Sequence, residues 1–267
     1  MSTLIVDTES DGFKYEATRL HCIVSYDVHK VVYNISAGEG QEDLIERGME
    51  EGYPRVPYKL IPSLTKHIDI LSHADKVVMH NGLGHDVPLI KRLYGVDLVN
   101  IEDTFIMSSL SRPDRVGPPN WVGKPKPHSI EAYAKRFNMS KIGHDDWSCF
   151  SWNMLDRCIN DVMVGYKTWE YLKEEMRNWD WSKALMLEHS VARIQAQQEM
   201  NGVLFDKEGA LALLSLIDKE VSEIDREVLS KLPKSVVQVG CTVSKPFKKD
   251  GTLRNFDIKG WQLNKTI

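Results

Sequence analysis

Short β-branched runs at Leu4–Val6, Leu20–Tyr26 and Lys30–Ile35 alternate with polar, glycine-bearing stretches and predict strands in a meander. The period then changes. Apolar Leu64, Ile68 and Leu71 recur at three-four spacing and predict a helix over Leu60–His73. Lys76–His80 (KVVMH) is a buried-strand candidate, Val87–Tyr94 a helix, and VDLVNIEDT a fifth strand leading to a short helix through Met107–Leu110. Strands first, then β and α in alternation, predict the α/β class: a mixed sheet flanked by helices.

The second half reads differently. Residues 111–127 hold five prolines and two glycines and predict a loop. Helices are predicted at Ser129–Phe137, Trp152–Met176 and Trp181–Met200, the last closed by Asn201-Gly202. Asp206 is placed to cap one more helix, whose stripe of Leu214, Ile217, Val221, Ile224 and Val228 has the spacing of a helix–helix seam and is expected to pack as core. A tail with a turn signal at Asp250-Gly251, flanked by strand-like runs, follows. Three regions result: 1–180, 181–232 as a helical connector, and 233–267.

Composition changes this picture little, but charge does. The 267 residues are 42% hydrophobic and 27% charged, which is ordinary for a globular protein. A net charge of −4 supplies no global field for a nucleic acid, so a polyanion must be met locally. Residues 233–267 carry seven Lys/Arg against two Asp, which leaves the rest of the chain at −9. Four scattered cysteines (Cys22, Cys149, Cys158, Cys241) form no C-x-x-C pair, which argues against zinc or redox chemistry. A reducing, cytoplasmic setting is expected, with no signal peptide and no membrane span.

Three acidic spots sit where a strand or helix could hold a metal. Asp7 and Glu9, two apart at a strand end, share a face. Asp86 opens a helix after the strand that ends in His80-Asn81, and Asp161 lies one turn after Arg157 in the helix 152–176. Each has a plainer reading. Asp-x-Glu occurs by chance, Asp86 before Val87-Pro88 suits an N-cap, and Asp161 suits a surface pair with Arg157. Together the four carboxylates suit hard cations, Mg²⁺ or Mn²⁺, as a pair typically ~3.5–4 Å apart. Such a pair suits phosphodiester hydrolysis: one ion acidifies water, the other stabilises the leaving oxygen, and both invert the local field for an anionic substrate.

The order of D-x-E on a strand, then N…D, then a late helical Asp resembles the DEDD superfamily of 3′–5′ exonucleases, whose fold is ribonuclease H-like. VDTE, HNGLGHDVP, IEDT, HSIEAYAKRF and NDVMVGYK resemble the proofreading domain of phage family A DNA polymerases. LEHSVARIQAQQEMNGVLFD resembles the helix and turn by which those polymerases leave the exonuclease domain. The resemblance covers roughly residues 1–232. It implies that Asp7, Glu9, Asp86 and Asp161 are catalytic and hold two metal ions, that Asn81 contacts the strand, and that Phe13 wedges against the terminal base. Phe13 could instead be a loop residue folded onto the core. The implied substrate is the 3′ end of single-stranded DNA. The implied partner is a polymerase domain or subunit outside this chain, so a fragment or a split polymerase is expected.

One position departs from the family. Where it places a tyrosine four residues before the last Asp, this chain has Arg157, and Asp156 stands where the histidine subclass places its base. Arginine stays protonated and cannot act as a base; it can bind the scissile phosphate or pair with Asp161 in competition with metal. Tyr166 and His144 are the remaining candidates for the missing group. Proofreading hydrolysis at reduced efficiency is the reading these residues favour. Two others remain: a catalytically weak or inactive domain kept as a structural part of a polymerase, and a freestanding exonuclease of short oligonucleotides. Lys245, Lys248 and Lys249 in the tail are candidate phosphate contacts.

Overall fold

The structure, a computed structural model, describes residues 2–38, 56–119, 126–140 and 142–231, single residues between 40 and 54, Thr252, and the backbone of 236–238 and 261–263. It divides into two compact units, Met1–Gly202 and Val203–Ile267.

The first unit is built on strands β1 (Thr3–Ser10), β2 (Leu20–Asp27), β3 (Val32–Ala37), β4 (Tyr58–Leu60), β5 (Lys76–Met79) and β6 (Ile101–Asp103). They form one sheet in the order β4-β3-β2-β1-β5-β6. β1, β2 and β3 are antiparallel neighbours, while β5 runs parallel to β1, β6 to β5 and β4 to β3. The meander followed by parallel additions is the mixed sheet the pattern predicts. β4 is the strand the pattern misses. It is a three-residue, partly exposed edge strand without alternation, and its last residue, Leu60, is the first of the expected helix.

Helices α1 (Leu64–Ser72), α2 (Asp86–Tyr94), α3 (Thr104–Ser111), α4 (Ile130–Arg136), α5 (Trp152–Met176) and α6 (Ser182–Asn201) complete this unit. α1 starts at Leu64, the first residue of its apolar stripe, rather than at Leu60, because Pro62 precedes Ser63 and the Ser63 side chain accepts from the Lys66 N–H as N-cap. β1 alternates between two layers. Ile5 joins Cys22, Val24, Leu155, Cys158 and Val162 in one core, which α5 crosses. Leu4 and Val6 join Leu64, Ile68, Leu89 and Ile90 in the other, under α1 and α2. His67, on the apolar face of α1, is fully buried between the Ser25 and Ser36 hydroxyls, both at 2.8 Å. Burial pushes its pKa down to about 3, so this histidine is a neutral polar pin.

α6, assigned to the connector from sequence, lies in the first unit; its last residue precedes Gly202, whose φ of 68° ends it. The second unit contains α7 (Lys207–Lys231), capped by Asp206 Oδ1 on the Gly209 N–H at 2.9 Å. It also contains β7 (Val236–Gln238), antiparallel to β8 (Trp261–Leu263). The stripe expected to form core is exposed along its length, from Leu214 to Val228, and α7 has no buried residue. Asp250-Gly251 and the three tail lysines lie outside the described residues. Among the described residues, no helix is long and apolar enough to cross a membrane.

Candidate active site

Asp7 and Glu9 stand on the β1 face that α5 crosses, since they continue the alternation of Ile5. Cys158 and Asp161, one turn apart on α5, approach that strand end. The Cys158 thiol donates to the Asp7 carbonyl at 3.4 Å, and donor atoms of Asp7, Glu9 and Cys158 lie within 4.8 Å of one another. Asp86 arrives from the opposite layer. It is the first residue of α2 rather than its N-cap; His85 holds the cap position and makes no side-chain cap bond. The Asp86 carboxylate is buried and accepts from Thr8 Oγ1 at 2.6 Å. Thr8, between the two strand acids, points to the other face and so draws Asp86 to the common edge.

All four carboxylates line one cleft of about 640 Å³, together with Phe13, Asn81 and Arg157. Crowding acids at a buried edge disfavours their charges. Burial, then the charges of Glu9, Asp161 and Asp86, hold Asp7 well above the usual carboxylate range. Burial pushes Glu9 up to about 8 against the pull of Arg157. Burial also raises Asp86, opposed by His85 and the Thr8 hydroxyl. This donor set of oxygens fits a hard divalent cation, which would favour the charged forms.

Arg157 is the cation the chain itself supplies. Its Nε lies 3.2 Å from Glu9 Oε1, and a terminal nitrogen lies 3.7 Å from Asp161 Oδ2. Nη1 donates to the Ile142 carbonyl at 3.0 Å, and the guanidinium lies 5.4 Å from the centre of the Trp147 ring. Nε makes no hydrogen bond despite its closeness to Glu9, so the contact is electrostatic and poorly directed. Pairing with Asp161, expected from the i,i+4 spacing, is present; the nearer partner, Glu9, comes from a strand and follows from no local spacing.

Neither candidate for the missing tyrosine joins the cleft lining. Tyr166 packs against Tyr26 at 5.2 Å between ring centres, and His144 stands edge-on to Trp147 at 4.8 Å. Phe13 is 74% exposed over the cleft, which removes the reading of a side chain folded onto the core. Its ring meets His85 edge-on at 6.4 Å. Asn81 adopts a left-handed φ of 60°, a conformation asparagine tolerates better than most residues. The Asp103 carboxylate holds that conformation by accepting from the N–H groups of Asn81 at 2.9 Å, Leu83 at 3.1 Å and Phe105 at 2.9 Å. Thr8, Cys158 and Trp147 are contributors that sequence reasoning passed over. Only Thr8 carried a local signal, as the residue facing away between two acids.

No protein-family model matches the chain. A DNA-directed DNA polymerase of Escherichia phage Phieco32 is 37% identical over 71 residues, which span 27% of this chain and 11% of the polymerase. A nuclease solved in its apo form is similar over 75% of this chain and 85% of its own, with a TM-score of 0.52 at 17% identity. NrnC of Brucella melitensis is similar over 75% of this chain and 85% of its own, with a TM-score of 0.50 at 15% identity. The sheet order, the helix crossing β1 and these likenesses identify the first unit as a ribonuclease H-like α/β fold.

Proposed function

We propose that this chain is a metal-dependent 3′–5′ exonuclease that removes nucleotides from the 3′ end of single-stranded DNA, in the service of a DNA polymerase. The observation that carries this reading is the convergence of Asp7, Glu9, Asp86 and Asp161 on one cleft, from two layers of the fold. Four like charges crowded at a buried edge are costly, and a bound divalent cation would offset that cost. The identity to a phage polymerase favours DNA and a polymerase partner over a freestanding enzyme of short oligonucleotides.

Asp7, Glu9 and Asp161 would hold Mg²⁺ or Mn²⁺, with Asp86 beside Asp7. Bound divalent ions supply the positive charge that a phosphodiester needs to accept a nucleophile and release an alkoxide. The chain's own residues would do the rest. Phe13, on its exposed turn, stacks on the terminal base, an interaction worth ~1–3 kcal/mol per base and tolerant of sequence. Asn81 contacts the strand from the opposite lip. Arg157 lies beside the acids and can pass from Glu9 to a phosphate oxygen as the substrate arrives. Because arginine cannot accept a proton, no general base is assigned to the tyrosine's position, and a slow enzyme is expected.

A second reading rests on the same arginine. With Arg157 paired to Glu9 and Asp161, the domain could keep its fold without metal, as a structural part of a polymerase. Digestion of a 5′-labelled single strand with Mn²⁺ separates the two. The expected outcome is stepwise shortening, lowered roughly a hundredfold or more in Asp7→Ala and raised in Arg157→Tyr. Full-length strand after incubation with both the wild type and Arg157→Tyr would overturn the catalytic reading.

A further inference from the structure

Lys14 follows Phe13 directly, yet its side chain is 9% exposed. A buried ammonium needs partners, and Lys14 has two hydrogen-bond acceptors besides the Tyr15 ring at 5.2 Å. Nζ donates to the Gly84 carbonyl at 2.7 Å and to the carboxylate of Glu199. Gly84 belongs to the turn between Asn81 and Asp86, so this lysine ties the Phe13 turn to the opposite lip of the cleft. Phe13 and His85 meet across that tie. Arg92 secures the same turn from α2, with Nε donating to the Lys14 carbonyl at 2.9 Å.

Glu199 sits near the end of α6, the helix that follows the nuclease sheet. A second residue of α6 reaches the same loop independently. The Asp103 N–H donates to His189 Nε2 at 2.8 Å, which requires that nitrogen to be unprotonated. His189 Nδ1 therefore carries the proton and donates to the Leu185 carbonyl at 2.7 Å. Asp103 in turn holds the Asn81 and Leu83 N–H groups. Two polar relays thus run from one helix to the two lips of the cleft, whereas Ala196 is the only α6 residue that is buried.

We infer that α6 braces the strand-binding cleft from behind its lining, and that Glu199 is a positioning residue acting through Lys14 on the Phe13 turn and the Asn81–Asp86 loop. The inference rests on the nuclease reading above and extends it to residues that touch neither metal nor strand. Without an acceptor at position 199 the ammonium loses the partner that holds it against the turn, swings toward water and releases Gly84; the two lips then lose their common register. The half-exposed Glu199 carboxylate makes its replacement a mild change to the helix.

The test reads strand affinity rather than hydrolysis. Anisotropy of a 5′-fluorescein-labelled oligothymidylate is measured on the full chain, with Ca²⁺ in place of Mn²⁺, for wild type, Glu199→Leu, Phe13→Ala and the double variant. Glu199→Leu is expected to weaken binding about tenfold, the scale of losing one stacked base. The double variant should bind no more than about twofold worse than Phe13→Ala, because both changes remove the same contact. Glu199→Gln, which still accepts from Lys14, should keep most of the affinity, and Glu199→Ala takes the place of the leucine variant if that one fails to fold. Equal binding by wild type and both Glu199 variants, or losses that multiply in the double variant, would overturn this inference alone. A wild type that binds no strand would overturn the nuclease reading and this inference with it.

Discussion

Glu9 has the burial of a core residue and the chemistry of a surface one. Its carboxyl titrates near 8 in the folded chain against an ordinary 4.5, so between those values the folded state holds a proton that the unfolded state has released. Stability from this group is therefore complete below about 4.5 and lost as pH rises through about 8. Thermal melts of the metal-free protein should show Tm falling across that window. Glu9→Gln should flatten the slope, and millimolar Mg²⁺ or Mn²⁺ should reverse it by favouring the charged form. A Tm that rises with pH in the metal-free wild type and in Glu9→Gln alike would show that the acids do not share a buried site. Arg157 belongs to the same balance. It offsets part of the crowding when no divalent ion is present, which accounts for a fold that tolerates four acids at one edge.

At the scale of elements, the site depends on how β5 hands over to α2. Asn81 turns left-handed, and Gly82 follows it in a space with no room for a side chain. A Cβ at Gly82 would come within 2.4 Å of the Met79 Cβ and 2.6 Å of its sulfur. Met79 ends a buried strand and cannot swing clear. Gly82→Ala should therefore cost about 1–3 kcal/mol, as overpacking does, and lower Tm by roughly 2–4 °C for each kcal/mol. It should also displace Asp86 and weaken Mn²⁺ binding measured by calorimetry. An unchanged melt and unchanged metal affinity would contradict this account of the turn. α7 presents the opposite situation: its apolar stripe has the spacing of a core and yet is exposed throughout. Periodicity specifies a helix face, but not whether anything covers it.

At the scale of the molecule, the first compact unit closes after Gly202, twenty-two residues beyond the boundary expected at 180. α6 contributes Glu199 to Lys14 and His189 to Asp103, so its removal would strip partners from both lips of the cleft. A chain cut after Gly202 should melt cooperatively and bind Mn²⁺ like the full protein. A chain cut after residue 180 should lose several degrees in Tm and most of its strand binding. Equal melts and equal binding for the two truncations would return α6 to the role of a passive connector.

Much of this was legible in the sequence, for reasons that differ by residue. Alternation placed Asp7 and Glu9 on one face of a strand, and helical spacing placed Arg157 beside Asp161; both follow from backbone geometry within a few residues. The order of strands and helices determined the α/β class, and glycine with aspartate marked the limits of α6 and α7. What the tertiary structure alone decided is every relation between elements distant in sequence: Thr8 to Asp86, Arg157 to Glu9, Lys14 to Glu199, and Asp103 to His189. These pairs are separated by 78 to 185 residues, and no local period encodes them. They arise because helices packed on the sheet bring polar residues from distant parts of the chain to the ends of β1 and β6.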